Sequence, residues 1–373
     1  MWLYSANVAI MLSEIQGSEE VKTLLFFSCE PGGAEVLVPV IELVRRSAIY
    51  RVVVLAYGLG AERFSRRGVE YIEVAKIAQG DPSILQAYHP NLLITSATSL
   101  PECDMSEKYL WQTARQLGIP SLAFLDQWQN YAVRFSGVGA GERLAYLPDY
   151  INCIDETGEA EMVREGFPAE RFVKLGHPSL SSVRDRASKV DVAAIKSRLS
   201  IPDVVEVLLF VSEPIMEHYG RTRGYDQYQV LELFLNTISK LPTPVVPIIK
   251  LHPKDRRDKF ENILKSFNGF CPIRLLGEEY SPEECLAVAD RVFGMTSFML
   301  VQAYVLGKQV VSLQPGLNIE DPLVLSRHHL VPVILSQSEN ILELMDTFKC
   351  RGDSSLNYDF LPGDFCKLLN VLV

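Results

Sequence analysis

The chain of 373 residues is short of the features that mark secreted, metal-stapled or membrane-embedded proteins. Its seven cysteines (Cys29, Cys103, Cys153, Cys271, Cys285, Cys350, Cys366) are scattered. None form a C-x-x-C pair, and no histidine stands at zinc-finger spacing. That argues against a disulfide framework or a zinc site and reads as reduced thiols in a cytoplasmic protein. No apolar run reaches the roughly eighteen residues of a membrane helix, so membrane contact is expected to be peripheral at most. Residues 1–20 carry no basic n-region and no cleavage site, and read as a loose arm. Positive charge is in deficit: 36 Lys plus Arg stand against 46 Asp plus Glu, a formal net charge of −10. A general nucleic-acid binder needs a basic footprint, so none is expected here. A single phosphate at a locally positive site stays open. Low-complexity tracts and short repeats are missing too.

What is present is a globular composition, 48% apolar and 22% charged, in a chain longer than one core usually serves. Short β-rich runs alternate with helical runs, the pattern of parallel α/β domains. Strands are expected at 23–28, 50–57, 69–74, 91–96, 121–125 and 149–155, with a short one at RFVKLG. The helix after the first strand is read over AEVLVPVIELVRR, with Pro39 near its first turns. Residues 177–204 turn polar, with one helix-like segment, and suggest a domain junction. The alternation then restarts with strands at 204–212, 245–252 and over CPIRLL, RVFGM and KQVVSLQ. Helices are expected at 338–350 and 360–373. The organisation predicted is an arm (1–20), a first domain (21–178), a second (179–345) and a helical tail (346–373). Each domain reads as a Rossmann-like, doubly wound parallel sheet.

Ligands of such sheets bind beyond the carboxyl ends of the strands, so the residues there are the candidates. After the first strand comes Cys29-Glu30-Pro31-Gly32-Gly33-Ala34-Glu35. Gly32 and Gly33 allow close backbone approach at a helix N-terminus. The loop matches neither the dinucleotide fingerprint nor the P-loop, and an ordinary βα turn is an equal reading. After strand 121–125 comes Asp126-Gln127-Trp128-Gln129-Asn130-Tyr131, with Arg134 and Phe135. A carboxylate beside aromatic rings suits a general base over a ring-shaped ligand. Ser212 and Glu213 open a Gly-, Arg- and Tyr-bearing stretch that suits a ligand-closing or a solvated loop. Lys250 and His252 alternate onto one face, and Lys254 adds positive charge suited to a phosphate. Gly294-Met295-Thr296-Ser297 opens a helix and suits a diphosphate cradle. His328-His329 diverge and are not read as a metal site, and Arg351-Gly352-Asp353 is not read as a displayed adhesion tripeptide.

The stretches KLHPKD (250–255) and ADRVFGMTSFMLVQAYVLGKQVVSLQPG (289–316) carry a resemblance. They are similar to the C-terminal domain of GT-B fold glycosyltransferases and their relatives. Those relatives include the non-hydrolysing UDP-GlcNAc 2-epimerases, lipid-A-disaccharide synthase, and CDP-glycerol glycerophosphotransferase and polysialyltransferase-like enzymes. Residues 148–180, with Gly176-His177-Pro178, resemble the segment entering the interdomain linker. The resemblance implies two domains facing a cleft, with a nucleotide-sugar donor and a sugar or lipid-linked acceptor. Lys250 and His252 would contact the donor phosphate, and Thr296 and Ser297 would hold the diphosphate. Asp126, or alternatively Glu30 or Glu35, would be the base. No metal and no separate cofactor would be needed. Gln302 stands where many relatives place an acidic residue on the ribose, and Ala34 where several carry histidine. The activity implied is sugar transfer in surface polysaccharide or glycolipid synthesis. Phosphoalcohol transfer, epimerisation and a catalytically silent nucleotide-binding scaffold are the alternatives.

Overall fold

The computed structural model describes residues 21–267, 272–337, 341 and 356–373. The arm 1–20, Cys271, Cys350, most of the helix expected over 338–350, and Arg351-Gly352-Asp353 lie outside the described residues. Two compact units divide the chain. The first holds the residues through Ser182 together with the C-terminal segment, and the second begins at Val183.

The first unit is a seven-stranded parallel sheet. Its strands are β1 (Thr23–Ser28), β2 (Arg51–Ala56), β3 (Ile72–Glu73), β4 (Leu92–Thr95), β5 (Ser121–Phe124), β6 (Tyr150–Asn152) and β7 (Phe172–Val173), in the order β3-β2-β1-β4-β5-β6-β7. β1 reads TLLFFS and is buried throughout, as a strand covered on both faces must be. The run expected over 69–74 pairs only at Ile72 and Glu73, an exposed edge. Val69 and Tyr71 turn into the core instead of extending the ladder. The C-terminal helix Pro362–Leu372 belongs to this unit, with Phe365 and Leu369 buried in the core beside Phe124.

The first helix differs from expectation. It runs Pro31–Ser47, so Gly32 and Gly33 form its first turn rather than a loop, and Pro39 sits mid-helix. Proline at the first helical position suits the start, because its missing N–H has no intrahelical acceptor there. Glycine is needed at position 33 because a Cβ would overlap the Ser96 side chain and stand 2.8 Å from Ser28 Oγ. Alanine normally improves a helix by about 1 kcal/mol. Gly33→Ala should nevertheless lower the urea midpoint, since overpacking typically costs about 1–3 kcal/mol. A midpoint at or above that of the wild type would contradict this packing.

The second unit is a six-stranded parallel sheet: β8 (Glu206–Val211), β9 (Val245–Lys250), β10 (Arg274–Leu276), β11 (Arg291–Gly294), β12 (Gln309–Leu313) and β13 (Val333–Ile334). The order is β10-β9-β8-β11-β12-β13. The polar stretch after 177 holds three short helices, Pro178–Ser181, Val183–Ser188 and Val192–Arg198, where one was expected. His177 and Asp191 cap the first and third through their side chains. The helix Pro282–Val288 carries a complete capping box between Ser281 and Glu284. No described helix is long and apolar enough to cross a membrane. In each sheet the strand order reverses beside the first strand, between β1 and β4 and between β8 and β11. Crevices that bind ligands open at such switch points.

Candidate functional site

In the first unit, residues 28 and 96 flank the switch point. Ser28 Oγ and Ser96 Oγ are 2.8 Å apart, and both are buried. Ser96 Oγ and the Thr98 amide donate to the Glu107 carboxylate, which is fully buried at the start of the helix Ser106–Gln116. Burial pushes the Glu107 carboxyl up, and the bonds from Ser96 and Thr98 pull against it. Its neighbour Lys108 is equally buried, and its ammonium donates to Thr98 O at 3.3 Å. Burial pushes the Lys108 amine down.

Asp126 follows β5 and faces the start of the first helix, where a Cβ on Gly32 would collide with its Oδ2. The close approach that Gly32 permits is therefore that of the protein's own carboxylate. Arg134 Nη1 lies 2.8 Å from Asp126 Oδ1, and the pair lacks the alignment of a hydrogen bond. Arg134 is buried and donates to Ala97 O and to Gln129 O. The aromatic neighbours are packed into the core beside Asp126. Trp128 is buried, stacks on His177 and donates to Asp155 Oδ1 at 2.8 Å. Tyr131 is buried and donates to Glu161 Oε2 at 2.7 Å.

The alternative bases differ from Asp126. The Glu35 carboxylate takes both Arg67 nitrogens, at 2.9 and 2.7 Å, and lies 3.8 Å from Arg63. That use ties the first helix to the segment ending the helix Gly58–Arg66. Glu30 is half-buried at the N-cap of the first helix without capping it.

In the second unit, residues 212–213 and 295–297 flank the switch point. The turn after β11 carries a carboxylate. Thr296 donates its amide to Glu213 Oε2 at 2.6 Å and its hydroxyl to Glu213 Oε1 at 2.8 Å. Arg223 is buried, donates to Thr296 Oγ1 at 2.9 Å and lies over the Tyr219 ring, 3.9 Å from its centre. Burial pushes the Glu213 carboxyl up, while Arg223 and the Thr296 bonds hold it down. Thr296 was expected to hold the diphosphate, but its donors are taken by Glu213. Ser297 is half-buried and caps the helix Phe298–Val305. Gly294 packs against β8, where a Cβ would stand 3.2 Å from Val211 O. Gln302 is buried one turn into the same helix.

The turn after β9 presents His252. The Lys254 amide donates to its Nδ1 at 3.1 Å, so the neutral ring carries its proton on Nε2. Burial, then Lys254, His218, Lys259 and Lys250, drive its pKa down to about 3. His252 is therefore a neutral Nε2–H donor across the physiological range. The His218 ring stands edge-on to it, with centres 6.4 Å apart. Lys250 is buried, and its ammonium donates to Gly277 O at 2.6 Å. Lys254 is exposed.

Glu107 and Lys108 were not among the residues expected at the site. Glu107 was legible: it lies four and seven residues before Trp111 and Ala114, on the buried face of its helix. Lys108 lies off that stripe and carried no such signal. Among the described residues no cluster of His, Cys, Asp and Glu has the geometry to hold a metal ion.

No protein-family model matches the sequence. No curated protein matches it either. Solved structures do resemble it. The UDP-GlcNAc 2-epimerase of Neisseria meningitidis, bound to UDP-GlcNAc, is 13% identical over 94% of this chain and 99% of its own, with a TM-score of 0.66. A putative UDP-N-acetylglucosamine 2-epimerase from Listeria monocytogenes is 11% identical over 94% and 96%, with a TM-score of 0.70. Anabaena HepE in complex with UDP-glucose is 15% identical over 87% and 89%, with a TM-score of 0.57. At such identities the likeness establishes architecture. The chain has the GT-B fold of the UDP-GlcNAc 2-epimerases, two parallel-sheet α/β domains in succession.

Proposed function

We propose that the protein is an enzyme acting on a nucleotide-activated sugar, transferring the sugar to an acceptor hydroxyl. The observation that carries this reading is the set of groups at the carboxyl ends of β9 and β11 in the second unit. There a neutral His252 Nε2–H and the buried Arg223 accompany a helix N-terminus capped by Ser297. These are the groups that a leaving nucleotide phosphate needs: fixed donors, positive charge and a helix dipole. With such groups the role would need no metal. Phosphate contact falls to His252 and Ser297, with Lys254 and Arg223 adding charge. Gln302 is kept for the ribose as a neutral partner.

In the first unit, Asp126 would take the proton from the acceptor oxygen as that oxygen bonds to the anomeric carbon. The bond to the nucleotide phosphate breaks, and the phosphate leaves with the electron pair. Glu30 is the second candidate for that proton. The acceptor would be a sugar or a lipid-linked sugar, reached from the cytoplasm with peripheral membrane contact at most. A second reading, epimerisation of the sugar nucleotide, is favoured by the epimerases whose whole chains align with this one.

Product analysis separates the two. The protein is incubated with UDP-GlcNAc, UDP-glucose and CDP- and CMP-linked donors, with and without sugar and lipid-linked acceptors. Acceptor-dependent release of the nucleotide supports transfer. A changed donor sugar without release supports epimerisation. An unchanged donor in every mixture contradicts both and favours a silent nucleotide-binding scaffold.

A further inference from the structure

We infer that Ser212 and Glu213 are positioning residues, a two-way clamp that fixes the His252 turn on one side and the Thr296–Ser297 turn on the other. The inference rests on the donor-site reading above and deepens it. β8 lies between β9 and β11, and those two strands lead into the two turns. Consecutive side chains at a strand's end diverge to opposite sides. Ser212 Oγ donates to Asp255 Oδ2 at 2.6 Å, and the His252 amide donates to the same oxygen at 3.0 Å. The Asp255 side chain is fully buried, and its other oxygen pairs with Lys259 at 2.5 Å. Lys259 is held in turn by Glu217 at 2.9 Å and lies near the Tyr228 and Phe260 rings. On the opposite side Glu213 takes the amide and hydroxyl of Thr296, and Arg223 braces that hydroxyl.

The chemistry of the two carboxylates argues for holding rather than touching. A carboxylate beside a phosphate repels it, and a side chain whose oxygens are already filled has nothing to offer it. What Asp255 and Glu213 supply is placement. His252 Nε2–H and the first turn of the helix Phe298–Val305 must be held to within about half an ångström to serve one phosphate. Ser212 and Glu213 are adjacent in sequence, so one strand end sets both turns.

The test is a pair of mutant series read by titration calorimetry on the full chain, with UDP as probe and CMP and CDP in parallel. Ser212→Ala should weaken binding about tenfold and His252→Ala about 10- to 100-fold, and the double variant should bind no more weakly than His252→Ala alone. A Ser212 loss that adds in full to the His252 loss would overturn the clamp, as would no loss at all. On the other arm, Glu213→Ala should weaken binding and Glu213→Gln should restore most of it, because the amide oxygen still accepts from Thr296. Tighter binding by Glu213→Ala would overturn the inference and make Glu213 an electrostatic brake. Thermal midpoints of the ligand-free variants separate misfolding from lost placement, and each arm stands without the other. If the wild type binds none of the three nucleotides, the donor-site reading falls and the clamp falls with it. Binding that is insensitive to Ser212 and Glu213 but lost with His252 overturns the clamp alone.

Discussion

Asp126→Asn should lower turnover by about 10²–10⁴-fold, the usual contribution of a positioned general base, with nucleotide affinity nearly unchanged. The split is expected because Asp126 belongs to the first unit, whereas His252 and Ser297, the groups proposed for the donor phosphate, belong to the second. Asparagine keeps the shape against Gly32 but loses the proton acceptor. The variant also leaves Arg134 without its anionic partner. Breaking a buried pair destabilises because a charge is left uncompensated. Arg134 retains the carbonyls of Ala97 and Gln129, so the fold should survive with a lower thermal midpoint. Initial rates on the donor identified by product analysis, together with that midpoint, check the prediction. Full turnover in a folded Asp126→Asn protein would move the base to Glu30.

The second large effect is at His252. In the proposed role its neutral ring would donate one hydrogen bond to the phosphate, an interaction worth about 1.5–3 kcal/mol, so His252→Ala should weaken nucleotide binding about 10- to 100-fold. The depressed pKa gives this effect a sign in pH. The ring stays neutral in the folded protein down to about pH 3, whereas in the unfolded chain it takes up a proton below its ordinary value. Folding therefore loses stability as pH falls through that window, and His252→Ala should reduce the loss. Between pH 6 and 8 the donor at Nε2 does not change, so this ring should add no slope to the affinity there. Affinity equal to that of the wild type would remove His252 from the site.

Much of the architecture was legible because it depends on patterns of burial. Unbroken apolar runs such as TLLFFS and VVPIIK are what a two-sided parallel sheet requires, and both are strands. The elements missed were short. Helices Ser83–Tyr88, Tyr131–Arg134, Ile215–Tyr219 and Val324–Arg327 run four to six residues, too few to show a helical period. The site was legible as residue types at strand ends and not as partnerships. Nothing near Glu35 in sequence announces Arg67, and nothing near Thr296 announces Glu213. Such pairs join distant segments through the sheet order. For the same reason Trp128 and Tyr131 read only as aromatic neighbours of a candidate base. The folded chain spends them on His177, Asp155 and Glu161.

Transfer and epimerisation both require the second unit to bind a nucleotide. Thermal unfolding of the wild type and of His252→Ala, with UDP, CMP, CDP, GDP, dTDP and NAD, measures that. A ligand of the native state stabilises by RT ln(1 + [L]/Kd), about 2.7 kcal/mol at a hundredfold excess over Kd. A raised midpoint is expected with at least one nucleotide, and a much smaller rise in His252→Ala. Unmoved midpoints with all six ligands, or an equal rise in the variant, would contradict it.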